Sequence, residues 1–274
     1  MKADLHCHSS FSDGIYTPTQ IVELCKKKEF DVVTLTDHDT CAGFPEMKAA
    51  ADREGLLSLS GIEISSIFEE LTVHVLGYAF DTESQKIRDY ETFSQEARVR
   101  RAKKIIEKLH ECGVSLKEEE LFTGALESHS IGRPHIARLL VQKKYATTFR
   151  EIFELYLGDG KPAYVPTEKI AVSEAVQLIH AAGGYAILAH PHLIKNKKVV
   201  FSLLDHCSFN GLEAFYGRFD KKKNAPWIQL AHERNLLTTG GSDFHGEERD
   251  ETLYGSALAP EETVRLFLSA HRKE

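Results

Sequence analysis

Asp4-Leu5-His6-Cys7-His8, with Asp13 just after it, and the distant Gly241-Ser242-Asp243-Phe244-His245 are the stretches from which the fold of this 274-residue chain is read. On an extended segment side chains alternate with a period of two, so His6 and His8 project to one side and can converge on a single ion. Between the two clusters come Thr36-Asp37-His38-Asp39, Glu63, His74 and Ala189-His190-Pro191. Nearly all fall where a predicted strand is about to end. Six histidines and three carboxylates repeating that placement describe a multinuclear metal site: His6, His8, Asp13, His38, Glu63, His74, His190, Asp243 and His245. Asp4, Asp37 and Asp39, which flank these donors, are expected to orient imidazole N–H groups instead of binding metal.

Working outward, short β-branched or apolar runs (31–36, 57–65, 71–79, 185–189, 211–215 and 236–240) alternate with amphipathic segments of helical length, which is α/β alternation. The first helix begins at an N-cap, Thr17, with Pro18 at its first position and Gln20 completing a capping box, and is expected to reach about Lys28. A second, around Glu46 to Arg53, stops at Gly55. From about Ser84 to Tyr156 the patterns are helical without a convincing strand, so this stretch reads as a helical insertion. Its first helix, ending at Gly113, carries Arg98, Arg100, Arg101, Lys103 and Lys104. That run is first a solvated helix face and second a phosphate-facing surface.

The totals exclude several classes. With 42% hydrophobic side chains the chain can bury a large core, and it has no apolar run of membrane-spanning length and no signal-peptide core, so a soluble cytoplasmic protein without membrane contact is expected. Five scattered cysteines with no Cys-x-x-Cys pair indicate neither a disulfide framework nor a zinc ribbon. A formal charge of -7 argues against general affinity for nucleic-acid backbone, and no stable duplex binding is expected.

Imidazole and carboxylate donors without thiolate suit two or three divalent ions of manganese, zinc or iron. Three such ions against three carboxylates leave a site of roughly +3, favourable to a phosphate dianion and a hydroxide, which is the metal-cluster route to phosphoester hydrolysis.

The ordered set DLHCHS, TDHD, Glu63, His74, AHP and GSDFHG resembles the PHP (polymerase and histidinol phosphatase) family of phosphoesterases over essentially the whole chain. The resemblance implies a distorted, TIM-like (β/α)7 barrel from residues 1–83 and 163–274, with the insertion at 84–162 covering the active site. It also implies a ligand set in which His6, His8, Glu63 and Asp243 hold one ion. Glu63, His74 and His190 hold a second, and Asp13, His38 and His245 a third. Gly132-Arg133-Pro134-His135 and Gly160-Lys161-Pro162 are similar to members that act on nucleoside 3',5'-bisphosphates or trim short RNA from its 5' end. There Arg133 and His135 would meet the substrate phosphate, with Lys161 and Arg218 as further candidates. The stretch Phe215-Tyr216-Gly217-Arg218-Phe219 departs from that pattern. The implied function is hydrolysis of a nucleotide phosphate ester, or of a short RNA 5' end, by a metal-bridging hydroxide. Its alternatives are a histidinol-phosphate phosphatase and a noncatalytic, metal-stabilised regulatory or nucleic-acid-binding module.

Overall fold

Alternation along each strand sorts the side chains before any helix packs. In Ile62-Glu63-Ile64, Val73-His74-Val75 and Leu212-Glu213-Ala214 the apolar members join one core cluster, and the polar residue between them points to the opposite face. A computed structural model, which describes residues 1–124, 129–246 and 251–271, places these strands in one mixed sheet. The strands are β1 (Val32–Thr34), β2 (Leu57–Leu59), β3 (Gly61–Phe68), β4 (Leu71–Tyr78), β5 (Ile170–Ala171), β6 (Tyr185–Leu188), β7 (Gly211–Tyr216) and β8 (Leu237–Gly241). Six run in the order β5-β3-β4-β6-β7-β8, and β1 and β2 form a separate parallel pair.

The sheet is not uniformly parallel. β4 runs antiparallel to both β3 and β6, because only two residues, Glu69 and Glu70, separate β3 from β4 and no crossover helix fits in so short a link. This reverses the expected strand-end rule at one position. His74 lies in the first half of β4, yet it faces Ser65 across the ladder and so reaches the same end of the sheet as Glu63.

Beyond β8 the backbone pairing continues through the N-terminal segment. The Leu5 amide donates to Gly240 O at 3.1 Å, the Thr36 amide to Cys7 O at 2.8 Å, and His38 bridges Glu63 in parallel.

Helix α1 (Pro18–Lys27) has the capping box read from Thr17 and Gln20, and α2 (Phe44–Glu54) ends at Gly55 with φ +70°, a left-handed conformation that glycine adopts without strain. Four helices follow β4: α3 (Gln85–Glu111), α4 (Glu118–Gly124), α5 (Arg133–Gln142) and α6 (Phe149–Ile152), the last running into a π-helical turn at Phe153–Leu157. They share their own apolar cluster, including Ile105, Leu109, Leu116, Ile136, Leu140 and Leu157. Helices α7 (Val172–Ala181), α8 (Lys197–His206) and α9 (Lys221–Glu233) cover the apolar face of the sheet through Ile179, Leu203 and Trp227. Helix α10 (Glu261–His271) packs Phe267 against Tyr78 and Tyr185. Among the described residues no helix is long and apolar enough to cross a membrane, and all five cysteines are free thiols.

Candidate metal centre

The polar face of the sheet gathers all nine predicted donors. His6 Nε2 and His8 Nε2 each lie between Glu63 Oε2 (3.3 and 3.2 Å) and Asp243 Oδ1 (3.4 and 3.2 Å). Four donors bonded at about 2.0–2.1 Å to a tetrahedral ion sit roughly 3.3 Å from one another, so these spacings are those of a first coordination shell. A second group joins His8, Asp13, His38 and His245, and a third His38, Glu63 and His74. His190 completes the set, with its Nε2 3.0 Å from Glu63 Oε1.

Two details differ from the grouping implied by resemblance. His38 approaches Glu63 at 3.1 Å, and His8 belongs to two groups at once.

Several of the buried donor atoms, including His6 Nε2, His8 Nε2, His38 Nδ1, Asp13 Oδ1 and Glu63 Oε2, have no hydrogen-bond partner. Buried polar atoms left unpaired cost free energy, and divalent cations at the three groupings would satisfy them together. The residues fit the ions.

Electrostatics agree. Burial would lower His6, but Glu213, Glu63 and Asp243 raise it well above the usual histidine range. Burial likewise opposes protonation of His8, which Asp243, Glu63 and Asp13 nevertheless carry to about 10. Burial would raise Glu63, yet the His74, His38 and His6 imidazoles hold it well below the carboxylate range. Such a cage takes up protons when no other cation is present. Adding Mn²⁺ or Zn²⁺ to metal-stripped protein is therefore expected to release protons, with apparent affinity rising with pH, as followed by a pH indicator during calorimetric titration.

Two of the donors stand on backbone that is itself unusual. His190 and Asp243 have φ of +23° and +54°, conformations costing non-glycine residues about 1–3 kcal/mol each. Asp243 is steadied by the Tyr216 hydroxyl, which donates to its Oδ2 at 2.7 Å, and by Arg218, which donates to its carbonyl at 2.9 Å. Gly241 is required beside them, since a Cβ there would collide with the His6 backbone and Cβ.

The flanking aspartates do something other than orient imidazoles. Asp4 accepts from the backbone N–H groups of His6, Ser242 and Gly255, stitching the two terminal clusters together. Asp37 accepts from Ser9 and Ser12. Asp39 pairs with Arg98, which corrects the solvated reading of the helix charge run at that position. Arg98 is buried, and it lines one chamber together with Asp13, His38 and His74. Arg100 and Lys103 do remain at the surface, paired with Glu168 and Glu118.

The imidazole-orienting role belongs to Glu213, a residue the sequence reading did not single out. Its carboxylate, buried in β7, meets His6 Nδ1 at 2.9 Å and accepts the His190 amide at 2.8 Å. Holding Nδ1–H leaves Nε2 as the lone-pair nitrogen facing the other donors. Glu213→Gln is expected to weaken metal binding about 10–100-fold while the metal-free fold persists, measured by metal titration beside circular dichroism.

Of the substrate candidates, Arg133 lines a chamber of about 360 Å³ together with Asp13, His38 and His74. Its guanidinium donates to Asp159 at 3.0 Å and to Leu157 O, between the Phe153 and Tyr164 rings. His135 caps its own helix, accepting the Gly132 amide on Nδ1 at 3.0 Å. Lys161 is exposed and closes a turn by donating its amide to Gly158 O at 3.0 Å, and Arg218 lies against Asp243. Arg98, Arg101 and Lys169 line the chamber beside Arg133, and only the first two could be read from the charge run. Burial and the neighbouring Arg133 and Arg98 pull Arg101 down to about 9, while burial and Arg101 pull Lys169 to about 8. Crowded cations of this kind are stabilised by an anion.

An α/β sheet that presents a cage of imidazoles and carboxylates beneath a cationic chamber defines a metal-dependent hydrolase of anionic esters. The family model for the PHP domain matches residues 4–161. A 5'-3' exoribonuclease of Haemophilus influenzae is 35% identical over 250 residues, 89% of this chain and 90% of that protein. A 3',5'-nucleoside bisphosphate phosphatase of Chromobacterium violaceum is 32% identical, over 88% and 86% of the two chains. Among solved structures, a protein assigned as a metal-dependent phosphoesterase from Bifidobacterium adolescentis superposes with a TM-score of 0.87 at 30% identity, covering 97% of this chain and 95% of its own. An amidohydrolase from Chromobacterium violaceum, solved with bound sulfate and no metal, gives 0.81 at 31% identity over 88% and 87%. The chain belongs to the PHP domain family, and it is a metal-dependent phosphoric ester hydrolase.

Proposed function

We propose that this enzyme hydrolyses a phosphate ester of a nucleotide, such as a nucleoside 3',5'-bisphosphate or AMP, or of a short RNA 5' end. The observation that carries this reading is the chamber in which Arg101, Arg133 and Lys169 face the same space as Asp13, His38 and His74. A guanidinium fork matches phosphate oxygens, and several cations together suit a substrate with more than one phosphate. Histidinol phosphate, with one phosphate and a cationic amine, fits that surround less well. The named activities of the exoribonuclease and bisphosphatase relatives support the same choice.

Three divalent ions of manganese, zinc or iron are assigned to the cage, held by His6, His8, Glu63 and Asp243, by Glu63, His74 and His190, and by Asp13, His38 and His245. Such ions, when bound, supply Lewis-acid charge and water acidified toward a pKa of about 7. The protein's own share is positioning: Glu213 and Tyr216 fix the donors, and Arg133 with His135 receives the phosphate. Residues 1–83 and 163–274 are read as a distorted (β/α)7 barrel, supported by the pairing that continues from β8 through Leu5 and Cys7 to β1 and β3. Residues 84–162 are read as the insertion over its open end, supported by Arg98, Arg101 and Arg133 reaching the chamber. Five unpaired thiols agree with a cytoplasmic protein.

The test is turnover by protein stripped of metal and reloaded separately with Mn²⁺, Zn²⁺ or Fe²⁺. Adenosine 3',5'-bisphosphate, AMP and a short 5'-phosphorylated RNA are compared with histidinol phosphate. Faster hydrolysis of histidinol phosphate than of the other three, under every metal, would replace this reading.

A further inference from the structure

The cationic chamber is only half of the space around the donor cage. On the other side of Thr72 and His74 lies a groove of about 440 Å³ whose exposed wall is overwhelmingly apolar. Leu71, His74, His190, Leu193 and Ile194 supply much of it. It begins at two of the donor imidazoles, so it is continuous with the reacting centre. Leu71 and Leu193 stand 43% and 51% exposed, although neighbouring Val73 and Ile194 pack into the core. Large side chains left in water beside a polar site, on segments with buried apolar neighbours to hold them, form a ready contact surface.

The two chambers share Thr72 and His74 but differ in chemistry. A ligand filling both must be strongly anionic at one end and flat or apolar at the other. The Thr72 hydroxyl accepts from Lys169, so this shared wall is also tied to the cationic side.

Resting on the nucleotide reading above, we propose that the groove between Leu71 and Leu193 is the subsite for the substrate's nucleobase. The base lies against Leu71, Leu193 and Ile194 while its phosphate is held at the cage and the Arg133 chamber. The groove's volume is within the roughly 300–1,000 Å³ range of small-molecule sites. Binding through apolar area contributes alike before and during bond cleavage, so the base acts mainly on KM.

The test compares metal-loaded wild-type enzyme on adenosine 3',5'-bisphosphate and on the matching ribose bisphosphate that lacks a base, alongside Leu193→Asp and Leu193→Ala. For the wild type, loss of the base is expected to lower kcat/KM by at least about tenfold, chiefly through KM. In Leu193→Asp that penalty should shrink several-fold, with Leu193→Ala between the two. Equal kcat/KM on the two compounds in the wild type overturns the base subsite while leaving the phosphoesterase assignment intact, and this comparison does not depend on any variant folding. A base penalty of the same size in wild type and both variants overturns the placement in this groove. No turnover of either compound, by enzyme that hydrolyses histidinol phosphate, overturns the nucleotide reading and the subsite together.

Discussion

Glu63→Gln is expected to lower metal-supported kcat/KM by about a thousandfold or more, since loss of a single preorganised group at a reacting centre already costs roughly 100–1,000-fold. Five imidazoles converge on this one carboxylate. Oε2 lies 3.3, 3.2 and 3.1 Å from His6, His8 and His38, and Oε1 lies 2.7 and 3.0 Å from His74 and His190. An amide keeps the shape but loses the charge and presents N–H donors where lone pairs are needed. Because Glu63 belongs to two of the donor groups, more than one ion should be lost together. Elemental analysis should report reduced metal per chain, with Glu70→Gln at the exposed hairpin turn as the control. Turnover within tenfold of wild type would remove Glu63 from the centre.

Asp39→Ala is expected to destabilise the metal-free protein by about 3–5 kcal/mol, the cost of leaving a buried charge without its partner. Asp39 is 3% exposed and accepts from Arg98 Nε at 2.9 Å, from the Tyr90 hydroxyl and from the Ser65 amide. Removing it strands a guanidinium that is itself 8% exposed. Asp39→Leu with Arg98→Met should recover only part of the loss, because no charge is left stranded but the Tyr90 hydroxyl and the Ser65 amide lose their acceptor. Urea unfolding of all three proteins measures this. The pH dependence has a fixed sign. Burial would raise the Asp39 carboxyl, but Arg98 and Tyr90 hold it below the ordinary value of 3.8. The pair's contribution is therefore present above that value and is lost as pH falls through the lower, folded-state one. The gap in stability between wild type and Asp39→Ala should narrow in strong acid.

Much of the fold could be read from the residues. The capping box at Thr17, the stops at Gly55 and Gly113, and the strand runs depend on local chemistry and hydrophobic period, which a single sequence displays, although the run at 57–65 divides into β2 and β3, which lie in different sheets. The mixed sheet was also encoded, in a gap between the runs at 57–65 and 71–79 too short for a crossover helix. Alternation of strands and helices elsewhere concealed it. Glu213 carries the same local signature as Glu63, a polar residue between two apolar ones in a strand, and that signature alone does not tell a carboxylate among the donors from one that orients them. The burial of Arg98 had no readable signal, because its partner lies 59 residues away and only tertiary packing brings them together. The spacing of basic residues on a helix reveals a charged face, not which of them the fold will bury.

The seam closed by Asp4 and Ser242 joins positions 238 apart in the chain. During synthesis His6 and His8 emerge long before Asp243 and His245 and must wait for partners that do not yet exist. A partly made chain can carry the His38, Glu63 and His74 group but not the assembled cage, so the full set of donors comes together late, once Asp243 and His245 have been made.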